Sequence, residues 1–272
     1  MSFGWIDAKQ LSFNSLLLMD RWIFRTIARN QHPEFRNKLA IALAGNPAVY
    51  WYVVNKCPER QEYYNTLVNK APDDCSKEGI RDSEIYVLDA LDWAVVYVYP
   101  DRMENLSYIK DWDNERLLSI TDFTGKTVLD IGSGTGRLAF AAATVAKTVY
   151  ASEPVDRLRE YMREKQKRLK VDNVYIIDGA IEMLPFPDES FDIVVSGHIF
   201  GEDDEAKWRE MSRVTRPGGY VINCPGEDHR KKPEGPSEEL IGLGFEHSHY
   251  VSKTGGDVYR YWKQKYESSE KG

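Results

Sequence analysis

Glycine and acidic residues near position 130 have the types and spacing of a ligand-binding turn. Residues 127–137 read T-V-L-D-I-G-S-G-T-G-R, so an apolar run ends in three glycines at alternate positions. An apolar run, a glycine cluster and a helical pattern together predict a strand, a tight turn and a helix. Glycine allows a ligand to approach the backbone closely, and the free N–H groups of the first helical turn then face that ligand.

The spacing of this turn argues against a dinucleotide phosphate as its ligand. A pyrophosphate-binding turn has the spacing G-x-G-x-x-G, whereas Gly132, Gly134 and Gly136 form G-x-G-x-G. Asp130 lies two residues before the first glycine. Because its carboxylate would repel an anion and attract an ammonium group, the turn suits a zwitterionic amino-acid moiety better than a phosphate.

A second acid, Glu153, follows the next predicted strand at residues 148–151. An acid at the end of the second strand of such a unit can accept hydrogen bonds from both hydroxyls of a ribose. The alternative is that Glu153 only caps the following helix. Enzymes that bind NAD share this second acid but lack an equivalent of Asp130, so the pair of acids disfavours an NAD-type oxidoreductase.

Further strands are predicted to position these residues in one sheet. Apolar runs at 174–177 and 191–195 predict the third and fourth strands, and P-G-G at 217–219 ends a helix before a fifth. Alternating segments at 245–252 and 258–265 around T-G-G-D predict a β-hairpin. A basic helical pattern at 157–170 has the composition of a solvated helix face.

Three stretches resemble one enzyme family. The run V-L-D-I-G-S-G-T-G at 128–136 resembles the first motif of class I S-adenosylmethionine-dependent methyltransferases. The runs L-P-F-P-D-E-S-F-D-I-V-V at 184–195 and R-V-T-R-P-G-G at 213–219 resemble the subgroup that includes ubiquinone and menaquinone methyltransferases. The resemblance covers residues 121–267. It implies an α/β fold with a doubly wound, seven-stranded, mostly parallel sheet and a C-terminal antiparallel hairpin.

The resemblance also implies S-adenosylmethionine as the cofactor and a small molecule as the methyl acceptor. The implied cofactor-binding residues are Asp130, Gly132, Ser133, Gly134, Gly136, Glu153, Asp178, Gly179, Ala180, Ile181 and Ser196. Many relatives have an aspartate at the position of Ala180, so here Asp178 or the backbone alone must reach the adenine amino group. The alternative within the same family is a protein that binds the cofactor without catalysing methyl transfer.

A general base is needed only if the acceptor is protonated at working pH. His198 follows the fourth strand, at the edge of the sheet where ligands bind, and its intrinsic pKa suits the role. The alternative is a structural or solvent-facing histidine. His229 is a second candidate. Residues 196–204 lack the Asp/Asn-Pro-Pro-Tyr pattern and are shorter than in quinone-type relatives, so no particular small-molecule acceptor is implied.

The first 120 residues predict a mostly helical region that precedes the core at 121–267 and a tail at 268–272. Helical patterns lie at 11–30, 34–44, 48–55, 59–70, 83–99 and 114–120. The aromatic residues of this region are expected to pack its core. The alternative, implied by the resemblance, is a lid, substrate or interface role that includes Trp112.

Composition narrows the choice of partner. The chain has 272 residues, a formal net charge of −7 and a pI near 5.4, which disfavour nucleic acid as a partner. Three scattered cysteines without a C-x-x-C pair predict neither a disulfide framework nor a metal site, and they fit a reducing cytoplasmic location. No apolar run is long enough to predict a membrane span. The oligomeric state is not indicated.

Overall fold

The computed structural model describes residues 4–72, 75–201, 203–226, 235–251 and 256–266. The chain divides into two compact units, Met1–Met103 and Glu104–Gly272. The sequence predicted the boundary at residue 120, whereas the units divide after Met103. Residues 104–120 therefore belong to the unit that contains the sheet.

The first unit is helical. Its helices are α1 (Arg21–Ile27), α2 (Pro33–Gly45), α3 (Pro47–Lys56), α4 (Gln61–Val68), α5 (Lys77–Ala90) and α6 (Asp92–Tyr97), with 3-10 turns at Ala8–Gln10, Phe13–Leu18 and Pro58–Arg60. Helix α7 (Pro100–Glu104) spans the boundary between the units. Tyr64 is buried in this unit, and its hydroxyl donates to the carbonyl of Phe24 at 2.8 Å.

Three sequence predictions for this unit are wrong in detail. The helix predicted at 11–30 is interrupted, because the Asp20 carboxylate accepts the N–H of Trp22 at 3.0 Å and starts α1 there. The helix predicted at 83–99 begins earlier, at the Ser76 cap, and breaks at Leu91 between α5 and α6. Trp51 is 65% exposed, so it does not pack the core.

The second unit contains the sheet. Its helices are α8 (Ser107–Lys110), α9 (Glu115–Leu118), α10 (Arg137–Ala143), α11 (Asp156–Leu169), α12 (Asp204–Val214) and α13 (Glu238–Gly242). Its strands are β1 (Thr127–Ile131), β2 (Thr148–Ser152), β3 (Val174–Ile177), β4 (Phe191–Ser196), β5 (Thr215–Asn223), β6 (Glu246–Val251) and β7 (Asp257–Gln264). The strand order is β3-β2-β1-β4-β5-β7-β6, in which only the pairs β5–β7 and β7–β6 are antiparallel. The predicted fold class is confirmed.

The two faces of the sheet pack separate cores. Strand β1 alternates between them: Val128 packs with α10, whereas Leu129 and Ile131 pack with the residues around α12. Because successive side chains of a strand point to opposite faces, Asp130 shares the α10 face with Val128. This alternation sets the side of the sheet on which the Asp130 carboxylate lies.

Arg213 connects the two distant motifs that the sequence indicated at 184–195 and 213–219. Its guanidinium donates to the carbonyls of Phe186 and Leu184 at 2.8 and 3.3 Å. It also pairs with the carboxylates of Asp188 and Glu210 at 2.8 and 2.7 Å. The planar fork of arginine makes several such bonds at once, so this one side chain fixes the turn before β4 to helix α12.

Replacing Arg213 by lysine should therefore destabilise the second unit. Lysine keeps the charge but cannot form the fork, and hydrogen bonds to charged groups contribute about 1.5 to 3 kcal/mol each when well shielded. Because the Arg213 side chain is 32% exposed, we expect a loss of about 2 kcal/mol in the free energy of unfolding. Urea denaturation measures it. Arg209→Lys, in an exposed ion pair with Glu205, is the matched control; equal losses in both variants would contradict the prediction.

Candidate active site

The candidate site lies at the carboxyl edge of the sheet, where four strands end in register. Ile131 of β1 pairs with Ser152 of β2 on one side and with Ser196 of β4 on the other. Ser196 in turn pairs with Asn223 of β5. The strand order reverses between β1 and β4, and open α/β sheets bind ligands at such a switch point.

The turn between β1 and α10 has a backbone that requires glycine. Gly132, Gly134 and Gly136 have φ angles of 65°, 59° and 87°, a region that other residues rarely adopt. A Cβ at Gly136 would lie 2.6 Å from the ring of Phe140. The N–H of Gly132 donates to the carbonyl of Ser152 at 2.9 Å, which ties the turn to β2.

Glu153 holds the same turn from the end of β2. Its side chain is buried, and its two oxygens accept the N–H groups of Gly134 at 2.8 Å and Val155 at 2.9 Å. Burial raises the pKa of Glu153 to about 7, although the two N–H groups oppose this shift. Glu153 thus contacts both the glycine turn and the backbone N–H of Val155, the residue before α11, whereas the N-cap of α11 itself has no side-chain cap. Each oxygen retains a second lone pair for a ligand hydroxyl.

Asp130 is the second buried acid of the site. Its carboxylate accepts the N–H of Ala139 in α10 at 3.0 Å. Burial raises its pKa to about 6, whereas Ser133, Arg137 and the N–H of Ala139 oppose the shift. The hydroxyl of Ser133 donates to the Asp130 carbonyl at 3.0 Å. Neither acid has a salt-bridge partner within 4.0 Å among the residues that the structure describes.

Polar atoms beside these acids fit a ligand that carries hydroxyl groups and a positive charge. The hydroxyls of Thr135 and Ser152 are buried and make no hydrogen bond in the described part of the chain. A Cβ at Gly179 would collide with the Ser152 hydroxyl. Buried polar groups are normally paired, and a cation beside the two acids would offset the burial that raises their pKa.

The predicted adenine-binding residues lie after β3. The Asp178 carboxylate is 75% exposed and pairs with Arg159 at 3.1 Å. The same guanidinium donates to the carbonyl of Glu153 at 2.7 Å, so Arg159 links the ends of β2 and β3. Ala180 forms an isolated bridge with Met183. Ile181 is half-buried against the core on the α12 side. For an adenine, this segment offers its backbone groups and the exposed Asp178 carboxylate. Ala180 stands where many relatives have an aspartate, so it supplies no carboxylate.

Ser196 and His198 lie beyond the reversal of the strand order, at the end of β4. Ser196 is buried, and its hydroxyl donates to the side-chain oxygen of Asn223 at 3.2 Å. The His198 side chain is exposed, and its Nε2 accepts the N–H of Gly226 at 3.3 Å. Its ring meets that of Tyr108 edge to face, with centroids 5.4 Å apart. His198 therefore lies at the predicted edge, with one ring nitrogen already engaged.

Arg137 also lies at this edge, and no role was predicted for it from the sequence. It is the first residue of α10, and its Nη2 donates to the carbonyl of Cys224, after β5, at 3.0 Å. Its guanidinium lies 4.1 Å from the ring centroid of Trp112. The sequence signal that could have indicated Arg137 is its place directly after the glycine turn, at the start of a helix that reads R-L-A-F-A-A-A.

Some predictions fall outside these contacts. His229 lies outside the described residues. Across the described ranges, no group of three or more His, Cys, Asp or Glu side chains could hold a metal ion. None of the helices described combines the length and apolar character that a bilayer crossing requires.

The sheet order, the antiparallel final hairpin and the glycine turn between two buried acids define the class I methyltransferase architecture. Residues 129–223 match the family model described as a methyltransferase domain. The chain is 32% identical over 132 residues to a demethylmenaquinone methyltransferase of Geobacillus kaustophilus, covering 45% of this chain and 56% of the relative. It is 33% identical over 110 residues to an uncharacterised methyltransferase of Anoxybacillus flavithermus, covering 39% and 50%.

Solved structures show the same fold. Haemonchus contortus phosphoethanolamine N-methyltransferase 1, solved with phosphoethanolamine and S-adenosylhomocysteine, is 16% identical with a TM-score of 0.50, covering 73% of this chain and 51% of that one. The chain spans about half the length of the curated relatives described above. Over residues 129–223 its core is similar to the methyltransferase domain family. S-adenosylmethionine, with its ribose hydroxyls, ammonium and sulfonium, matches the hydroxyl-accepting and cation-accepting groups around Asp130 and Glu153.

Proposed function

We propose that this chain transfers a methyl group from S-adenosylmethionine to a small-molecule acceptor. The observation that carries the proposal is the pair of buried acids, Asp130 and Glu153, on either side of a glycine turn at the switch point of the sheet. Burial raises the pKa of both carboxyls. A ligand that supplies positive charge and hydroxyl donors would favour their ionised forms.

The residues of the chain would mainly bind and orient. When bound, S-adenosylmethionine supplies a methyl carbon activated by a sulfonium, and transfer breaks the carbon–sulfur bond as the acceptor's electron pair forms the new bond. Glu153 would accept the ribose hydroxyls with its remaining lone pairs. Asp130 would balance positive charge, and the edge of β4 would orient the acceptor, since proximity and orientation supply much of the rate.

Calorimetry tests the cofactor assignment. The full chain is titrated with S-adenosylmethionine, S-adenosylhomocysteine and NAD, and the first two are expected to bind at least about tenfold more tightly than NAD. Preference for NAD would overturn the assignment. Transfer of a labelled methyl group across a library of small metabolites then tests the reaction. Cofactor binding without any labelled product would favour the non-catalytic alternative.

His198 is proposed as the general base for an acceptor that must lose a proton. Because its Nε2 accepts the N–H of Gly226, His198 must release that bond to take up a proton through this nitrogen. We expect His198→Gln to lower kcat by about 100-fold or more while S-adenosylhomocysteine affinity stays unchanged. The pH–rate profile should lose its acidic limb. An unchanged profile would assign His198 a structural role.

A further inference from the structure

Arg137 lies in a group of aromatic and cationic side chains beyond the ends of β4 and β5. Its guanidinium is 4.1 Å from the Trp112 ring centroid and 6.0 Å from that of Tyr108. A Cβ at Gly197 would lie 2.8 Å from its Nη2. We call Tyr108, Trp112, Arg137 and the Cys224 carbonyl the Arg137 pocket.

Two donors of the Arg137 pocket lack an acceptor among the residues that the structure describes. Nη1 of Arg137 and Nε1 of Trp112 are buried, and neither makes a hydrogen bond within the described part of the chain. Nη2 of Arg137 already donates to the Cys224 carbonyl. Both unpaired groups carry N–H donors and cannot accept. Because a buried polar group without a partner is costly, these two donors indicate an oxygen-bearing ligand.

The charges around the pocket are mainly positive. Arg116 lies 5.7 Å from the Trp112 ring centroid, and the guanidinium of Arg260 donates to the Arg116 carbonyl at 2.8 Å. Burial raises the pKa of the Cys224 thiol to about 11, so that group is neutral at pH 7. Asp130 is the acid that acts on Arg137 electrostatically, but no salt bridge within 4.0 Å joins the two in the described residues. An anion therefore fits the pocket better than a neutral ligand.

We propose that Arg137 and the Trp112 indole N–H bind a carboxylate of the methyl acceptor. This inference rests on the proposed function, and it adds that the methyl acceptor is a carboxylic acid. Two unpaired donors match the two oxygens of a carboxylate, whereas a phosphate presents more oxygens and more charge. The Trp112 and Tyr108 rings beside the guanidinium suit a carboxylate attached to a flat apolar group.

The position of the pocket assigns it to the acceptor. The acids and hydroxyls that fit the cofactor lie at the ends of β1 and β2. The contacts of Arg137 with Gly197 and the Cys224 carbonyl lie after β4 and β5, across the switch point. The alternative is that Arg137 binds the carboxylate in the amino-acid part of the cofactor. The second titration below separates this alternative from binding of the acceptor carboxylate.

The test uses the full chain saturated with S-adenosylhomocysteine and titrated with benzoate, benzamide and phenyl phosphate. We expect benzoate to bind wild type about tenfold or more tightly than either other probe. Arg137→Gln should weaken benzoate binding about tenfold or more, and Trp112→Phe, which keeps an aromatic ring but removes the N–H, should weaken it less. Arg209→Gln on the exposed face of α12 is the matched control and should bind benzoate as wild type does.

A second titration identifies which carboxylate Arg137 binds. S-adenosylhomocysteine and 5′-methylthioadenosine differ in the amino-acid part, so the ratio of their affinities reports any contact with the cofactor carboxylate. We expect Arg137→Gln to leave this ratio unchanged, and a drop for S-adenosylhomocysteine alone would overturn the proposal. Absence of benzoate binding, stronger phenyl phosphate binding, or benzoate binding unchanged in both variants would also overturn it. Benzoate binding that depends on Arg137, without methyl transfer to any carboxylic acid, would retain the anion site and refute the proposed reaction.

Discussion

Replacing Glu153 by alanine is expected to weaken S-adenosylhomocysteine binding by about 100-fold or more. The carboxylate is proposed to accept both ribose hydroxyls, and hydrogen bonds to a charged group contribute about 1.5 to 3 kcal/mol each. The substitution also leaves the N–H groups of Gly134 and Val155 without an acceptor. We therefore expect the free energy of unfolding to fall by about 2 kcal/mol as well. Calorimetry and urea denaturation measure the two effects.

Two further variants separate the binding effect from the structural effect. Glu153→Gln keeps the shape, but its amide nitrogen would face an N–H, so an intermediate loss of affinity is expected. The Asp122 carboxylate accepts the N–H of Thr124 at 2.9 Å on an exposed turn. Asp122→Ala thus removes a carboxylate that accepts one backbone N–H outside the site, and it should leave affinity unchanged. Wild-type affinity in Glu153→Ala, with lowered stability, would leave Glu153 only its structural role.

Glu153 also shows what the sequence could and could not predict about the site. An acid after the second strand is visible in the sequence. Its contact with the N–H of Gly134 depends on the register of β1 against β2, in which Ile131 lies opposite Ser152. Register of this kind comes from packing between distant segments, which a local pattern does not encode.

Arg137 was missed for the same reason. Its pocket forms only when α8 and α9, the turn after β1 and the ends of β4 and β5 come together. These segments are far apart in the sequence. A buried arginine beside aromatic rings therefore becomes recognisable only after the fold is known.

The sheet was predictable because strong local signals mark its strands. The glycine turn and the hairpin pattern lie where the structure ends or reverses a strand. The P-G-G stop at 217–219 is placed wrongly, because α12 already ends at Val214 and P-G-G lies inside β5. The helical unit lacks such signals. Ser83 illustrates the difference: it was expected to start a helix, but it is buried inside α5, where its hydroxyl donates to the Gly79 carbonyl at 2.8 Å. Tertiary packing decided that position.

Replacing Asp130 by asparagine should stabilise the ligand-free chain at pH 8 while weakening cofactor binding. Burial raises the pKa of Asp130 from 3.8 to about 6. The folded chain therefore takes up a proton between these values, and the free energy of unfolding falls as the pH rises through that window. The pKa difference corresponds to about 3 kcal/mol. We expect Asp130→Asn to raise the free energy of unfolding at pH 8 by about 1 to 3 kcal/mol. The gain is smaller than the full pKa difference because the variant also removes the attraction between Asp130 and Arg137.

Urea denaturation at pH 5 and pH 8, with and without S-adenosylhomocysteine, measures this effect. Without ligand, the free energy of unfolding of wild type should fall from pH 5 to pH 8. Its affinity for S-adenosylhomocysteine should rise over the same range, because the ligand favours the ionised acids. Asp192 is a control of opposite sign: burial opposes its ionisation, but the Thr127 N–H and Arg216 hold its pKa below the ordinary value. Asp192→Asn should therefore lose stability at pH 8. If Asp130→Asn loses stability there too, the Asp130 carboxylate stabilises the fold, and the proposed dependence of its ionised form on a bound cation is wrong.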